Sequence, residues 1–276
     1  MRFSIITPSF RNSDWLRLCV ASVADQNVEH EHIVQDAGSD DGTLNWLKID
    51  QRVSVFVEKD AGMYDAINRG LRKSQGEIIA YLNCDEQYLP GALKAVNDCF
   101  ATNPDVEVLF ADAVAVNGNG DYLWHRKMLR PLLWHTWTAP LSILTCATFF
   151  RRSIIDERKL FFDPQWRYVG DSAWVLALIK AGVRMQVMRR FTSVFTHTGH
   201  NLSLHEKAQD EGCTFRATVP AFARGMAPLI LAHHRVRRLM GGIYSQAPFD
   251  FALYTRPQPQ HRVTRHVANP TSRWRW

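Results

Sequence analysis

Apolar and polar positions along the first 110 residues switch between two periods. Short runs rich in β-branched and aromatic residues, at 3–7, 32–35, 53–57, 78–82 and 106–111, predict strands. Between them apolar residues recur at helical spacing: Trp15, Leu18, Cys19, Ser22 and Val23 share one face of a segment over 14–25, and Ala66, Ile67 and Leu71 share one over 63–72. A third helix over 90–100 opens on Pro90, where the missing N–H costs a helix nothing. Strands alternating with helices predict an α/β protein with a Rossmann-like parallel sheet and crossover helices.

Beyond residue 112 the alternation breaks. Residues 117–121, Asn-Gly-Asn-Gly-Asp, predict a hairpin turn, and a Trp-rich irregular stretch runs to about Pro140. A strand is predicted over 145–151, a helix over 171–181 closed by Gly182, and two strands over 184–188 and 193–196. Helical patterns return from residue 205, and the Pro- and Arg-rich segment from about Thr255 is predicted to be poorly ordered.

Charge changes this picture in one place. The net +6 is concentrated in residues 216–276, where ten arginines face Asp250 alone, so any inference of an anionic partner attaches to the tail. Nothing in the sequence calls for nucleic acid. Five scattered cysteines without CxxC spacing argue against a disulfide framework or a zinc site and suit a reducing compartment. Too few apolar residues precede Pro8 for a secretory leader, and no window approaches the roughly 20 needed to span a bilayer. These features predict a cytoplasmic protein.

In an open parallel sheet ligands bind beyond the carboxyl ends of the strands. Here those ends read Thr7-Pro8-Ser9-Phe10, then Asp36 to Thr43 with Asp40 and Asp41, then Glu58-Lys59-Asp60-Ala61-Gly62, then Asn83-Cys84-Asp85-Glu86. Neither GxGxxG nor GxxxxGK[ST] occurs, which disfavours a dinucleotide or ATP site. Carboxylates facing a diphosphate need a cation between them, so the acidic rim implies Mn²⁺ or Mg²⁺. The competing reading is that Asp36, Asp40 and Asp60 cap turns or helices.

The strings SIITPSFRN, HIVQDAGSDDGT, EKDAGMYDAINRGLRKSQGEIIAYLNCDE and YLPGAL, in that order and spacing, resemble the donor-binding half of glycosyltransferase family two, and Tyr168 to Trp174 resembles the family's acidic motif on the acceptor side. The resemblance implies a GT-A fold over 1–204, a mostly parallel Rossmann-like sheet with flanking helices. Residues 1–111 would form the donor half and 112–204 the acceptor half, with a basic helical extension over 205–276. It implies an inverting transfer from a nucleotide diphosphate sugar, UDP favoured, to a hydroxyl of a growing glycan or lipid-linked saccharide. By position, Pro8 and Phe10 would flank the base, Asp36 would bond its ring, Asp60 would join the nucleotide pocket, and Thr7, Asn83 and Cys84 would complete the donor rim. Asp85 would coordinate the metal, with Glu86 beside it and Asn83 standing where the family has its first aspartate.

Asp171 is the candidate catalytic base, since inversion needs one carboxylate to take the acceptor's proton; helix capping is its alternative role. The family often carries Glu-Asp where this chain has Gly170-Asp171. His197, with His200 near it, falls where relatives place a histidine by the metal or diphosphate, or else is a turn histidine. Tyr64 and Asp65 follow the third strand, either touching the donor sugar or opening the helix. Trp124, Trp134 and Trp137 offer an acceptor platform or core packing. The tail mixes apolar residues with arginines, as an interfacial helix on an anionic membrane does, or as a helical pair packed on the catalytic domain with solvated arginines. The competing functions are a nucleotidyltransferase, which usually has a glycine-rich basic first loop that Thr7 to Asn12 lacks, and an inactive sugar-binding module, suggested by Asn83.

Overall fold

The computed structural model describes residues 1–139, 141–199, 201 and 206–273. The first half follows the two periods closely: β1 (Phe3–Ser9), α1 (Ser13–Ala24), β2 (His30–Asp36), α2 (Thr43–Leu47), β3 (Ser54–Val57), α3 (Met63–Lys73), β4 (Ile78–Tyr81), the two-residue β5 (Gln87–Tyr88) and α4 (Ala92–Thr102). β1 pairs in parallel with β2 and β4, and β2 with β3, so four strand ends reach one edge in register. Alternation along β1 fixes the layers. Thr7 faces α1 through Cys19, while Ile6 lies so close to α3 that a Cβ at Gly70 would sit 2.5 Å from its Cγ2.

The second half comprises β6 (Val108–Asn117), β7 (Tyr122–Arg126), α5 (Leu133–Thr138), β8 (Thr148–Arg151), α6 (Ser153–Asp156), α7 (Gly170–Lys180) and β9 (Met185–His197). β6 and β7 are the arms of the expected hairpin. β8 runs antiparallel to both β4 and β6, and β9 runs parallel to β6, giving the order β3-β2-β1-β4-β8-β6-β9-β5. The parallel ladders thus dominate the donor half, and the complete sheet is mixed. The two strands expected over 184–188 and 193–196 are one: Arg189 and Arg190 bulge where Met188 pairs with Ala111 and Phe191 with Asp112. Buried Asp112 holds that bulge by accepting from Arg189 at 3.0 Å and from the Met128 amide at 2.7 Å.

After α8 (Glu206–Ala217), α9 (Ala221–Gly225) and α10 (Ala227–Met240), the chain forms a hairpin: β10 (Phe249–Thr255) replaces the end of the stretch expected to be helical, and β11 (Gln258–Val267) lies in the segment expected to be poorly ordered. Its alternation explains the difference: Phe251 and Leu253 pack with Val114, Val116 and Val194 of the main sheet. Arg262, grouped in the sequence with solvated arginines, anchors the hairpin by a two-pronged bond to Asp25 (2.6 and 2.7 Å) and by donation to the Tyr88 and Ala252 carbonyls.

Candidate functional site

The rim built by β1, β2 and β3 is organised by its own aspartates. Asp36 is buried; its Oδ1 accepts from the Gly38 and Ser39 amides (2.9 and 2.7 Å) and its Oδ2 from Ser39 Oγ (2.8 Å), which folds the loop back under β1. Asp41 accepts from the Thr43 amide and hydroxyl, so Asp36 and Asp41 hold turns, whereas Asp40 caps nothing and pairs with the Arg11 guanidinium at 2.6 Å. Pro8 pairs in register with Gln35 one residue before the end of β1, and Phe10 stands 52% exposed just beyond it with the Arg11 guanidinium 4.9 Å from its ring centre. Asp60 accepts from the Gly62 amide at 2.9 Å; burial lifts its carboxyl above the ordinary range, and the charges of Asp65 and Asp36 lift it further.

Three expected rim residues turn away. Thr7 is fully buried, its hydroxyl 2.8 Å from His32 Nε2 and 3.7 Å from Cys19 Sγ, because strand alternation points it under α1. The Cys84 sulfur accepts from Asn12 at 2.9 Å. Asp65 is spent on the Ala61 amide and on Arg69, one helical turn on.

At the end of β4, Asp85 and Glu86 lie together, and burial pushes both carboxyls up, with the charge of Asp85 pushing Glu86 further. Glu86 accepts from the Asn83 amide at 2.8 Å, and Asn83 Oδ1 is buried without a hydrogen-bond partner among the described residues. Asn201, which sequence reasoning passed over, bridges the Asp85 carboxylate (3.3 Å) and the Thr196 carbonyl (2.9 Å), tying the acidic turn to the end of β9. Its only sequence signal is its place just after the last strand. An unpartnered buried oxygen beside two carboxylates suits a hard divalent cation. Among the described residues no three His, Cys, Asp or Glu side chains converge on one point, so protein ligands would be few. The His197 ring, at the end of β9, sits edge-on to Trp124 and Phe195, with centroids 5.5 and 5.1 Å away; His200 lies outside the described residues. Trp124 and Trp137 are buried, and Trp134 packs on Trp137 and Phe222, so these rings serve as packing.

Asp171 occupies the second position of α7. Val169 is the helix cap and no side chain caps it, so capping is not this residue's task. Its carboxylate accepts from the Ser172 amide at 2.7 Å, and burial lifts it to about 6. Two side chains that sequence reasoning did not assign to it hold the backbone here. Tyr64, 3% exposed, accepts from the Asp171 amide at 3.1 Å. Glu211 of α8 accepts from the amides of Arg167, Tyr168 and Val169 at 2.7, 2.5 and 2.8 Å. The departure at Gly170 has a steric cause: a Cβ there would lie 2.5 Å from the Tyr64 ring. Burial raises the Tyr81 hydroxyl at the end of β4 well above its ordinary value, and the charges of Asp171 and Glu86 add to the rise.

Strand-end carboxylates on a half-parallel sheet and a helix-borne carboxylate at the start of α7 make up the candidate site. The sequence model of Glycosyl transferase family 2 matches residues 4–159, and the chain belongs to that family. TuaG of Bacillus subtilis, a candidate glycosyltransferase of teichuronic acid biosynthesis, is 38% identical over 91 residues, 31% of this chain and 36% of TuaG. An uncharacterised glycosyltransferase of Mycobacterium tuberculosis is 30% identical over 125 residues, 44% of this chain and 43% of its own length. The chain thus spans well under half the length of these curated relatives. Among solved structures, S. aureus TarS 1–349 in complex with UDP-GlcNAc has a TM-score of 0.60 at 18% identity, covering 87% of this chain and 73% of that one. Mannosyltransferase PcManGT from Pyrobaculum calidifontis, in complex with GDP-Man and Mn²⁺, has a TM-score of 0.55 at 16% identity, covering 86% and 80%. Both share the fold.

Proposed function

We propose that the protein is an inverting glycosyltransferase that moves a sugar from a nucleotide diphosphate, UDP favoured, to a hydroxyl of a growing glycan or lipid-linked saccharide. The observation that carries the reading is Asp171, a carboxyl lifted to about 6 in the first turn of α7, in a fold whose β4 ends on the raised Asp85–Glu86 pair. Phe10 and Pro8 border the base, and Asp60 lies deeper in the nucleotide pocket. Asp36 reaches the base through the loop it folds. Asp171 takes the acceptor hydroxyl's proton as the oxygen attacks the anomeric carbon. Tyr64 and Glu211 hold the backbone that aims it. Asp85, with Asn83 and Glu86 beside it, would hold Mn²⁺ or Mg²⁺; a bound cation supplies positive charge to the departing diphosphate. His197 stands within the same end of the sheet as a further metal or diphosphate contact. Free cysteines and the basic tail suit a cytoplasmic protein at the inner face of the membrane.

A thermal-shift screen of UDP-, GDP- and dTDP-sugars with and without Mn²⁺ tests donor binding, because a ligand bound only by the fold raises its melting temperature. We expect a metal-enhanced shift with one nucleotide class, retained in Asp171→Asn while transfer is lost. Binding without transfer in the unaltered chain would favour the inactive-module reading raised by Asn83.

A further inference from the structure

The tail's long helix is inside out. On a water-facing helix the buried stripe is apolar and the outer one polar. In α10 the two buried residues are His234 and Arg238, one turn apart and 1% and 0% exposed, with the His135 ring 4.7 Å from His234 and Tyr244 under the Arg238 guanidinium. The outer stripe is apolar: Leu229, Val236 and Met240, at spacings of seven and four, fall on one line, and Leu239 flanks it. Met240 is 83% exposed, Leu239 71% and Leu229 67%, and Phe222 on neighbouring α9 is 63%. An apolar stripe this continuous, facing outward, is built for a medium other than water.

Charge decides what covers it. From residue 212 to 249 there is no aspartate or glutamate, while the exposed Arg224 and Arg235 flank the stripe; Arg237 turns inward to His135 and the Arg130 carbonyl. A second copy docked on the same face would bring arginine to arginine with no carboxylate between them. Anionic lipid headgroups complement that fringe, and acyl chains take the stripe. We infer that the outer face of α9 and α10 docks the protein flat on an anionic lipid bilayer.

The docking face is joined to the proposed base. α10 packs on α5, α5 on α7, and Phe215 and Ala223 meet Trp137 and Leu176 between them. Glu211 on α8 then clamps the backbone just before Asp171. A bilayer on this face thus lies on the acceptor side of the fold. The inference rests on the tail alone and does not require the transfer reaction.

Flotation of the full chain with vesicles of phosphatidylcholine alone, or with one third phosphatidylglycerol by composition, tests it. We expect recovery with the anionic vesicles only, weakened by salt. Leu229→Gln/Leu239→Gln/Met240→Gln, all at exposed positions, should lower the bound fraction at least about tenfold. Arg224→Gln/Arg235→Gln should lower it about tenfold as well. Melting temperatures and nucleotide-sugar shifts should stay those of the unaltered chain. Failure to float with anionic vesicles, flotation of the triple variant like the unaltered chain, or equal binding to neutral vesicles would each overturn the inference. So would a dimer in light scattering that the triple variant abolishes without any vesicle binding.

Discussion

Replacing Asp171 by asparagine should stabilise the fold while removing activity. A carboxyl raised from its ordinary 3.8 to about 6 is held ionised at a cost of about 3 kcal/mol at neutral pH. Asp171 is half-buried and lies in the first turn of α7, so solvent and the helix N-terminus return part of that cost, leaving about 1–2 kcal/mol. The sign follows from proton binding. Between the two values the folded state holds a proton that the unfolded chain has lost, so stability of the unaltered chain falls as pH rises through that window. Asparagine carries no such proton, and the variant's advantage is absent below about pH 4 and complete above about pH 6. For a chain of this length 1–2 kcal/mol corresponds to roughly 2–4 °C in Tm. Melting curves of both proteins at pH 4 and pH 7.5 measure it. A variant less stable at pH 7.5, or equally more stable at both pH values, would refute the assignment of a strained carboxylate and return Asp171 to a structural role.

The same carboxyl sets an acid limit on rate. kcat/KM should fall tenfold per pH unit below about pH 6, since Asp171 must be ionised to take a proton; a flat profile from pH 5 to 8 would contradict it. Gly170→Ala should cost about 1–3 kcal/mol by overpacking against Tyr64 despite alanine's helix preference, and adding Tyr64→Leu should recover part of the loss, read by urea denaturation. Arg262→Ala should release the C-terminal hairpin at a cost of about 2 kcal/mol, visible as rapid hydrogen exchange in β10 and β11 with the central strands still protected.

The donor half was legible because its residues obey one rule at a time: alternation gave β1 to β4, helical spacing gave α1 and α3, and strand ends gave the acidic rim. Side-chain direction at the rim was less legible. Thr7 and Phe10 are three residues apart on one turn of chain, yet Thr7 is buried against His32 and Phe10 is exposed, a distinction set by which helix covers which face. Tyr64 and Glu211 were missed as supports of Asp171 because they act on its backbone across 107 residues of sequence and from the tail, and a hydrogen bond to an amide leaves no motif. Gly170 stood out as a departure from the family pattern, but its cause, the Tyr64 ring against it, is visible only in the fold. The β10–β11 hairpin was hidden by composition, since its arginines and prolines read as solvated chain while every second residue of β10 packs inward.

The most direct test of the account is the anomeric configuration of the product. Proton NMR during incubation of the full chain with Mn²⁺, an acceptor saccharide and each of the UDP-, GDP- and dTDP-sugars should show one donor consumed, a product of the opposite anomeric configuration formed first, and neither signal change in Asp171→Asn. A first product that keeps the donor's anomeric configuration, or unchanged spectra with every donor, would contradict it.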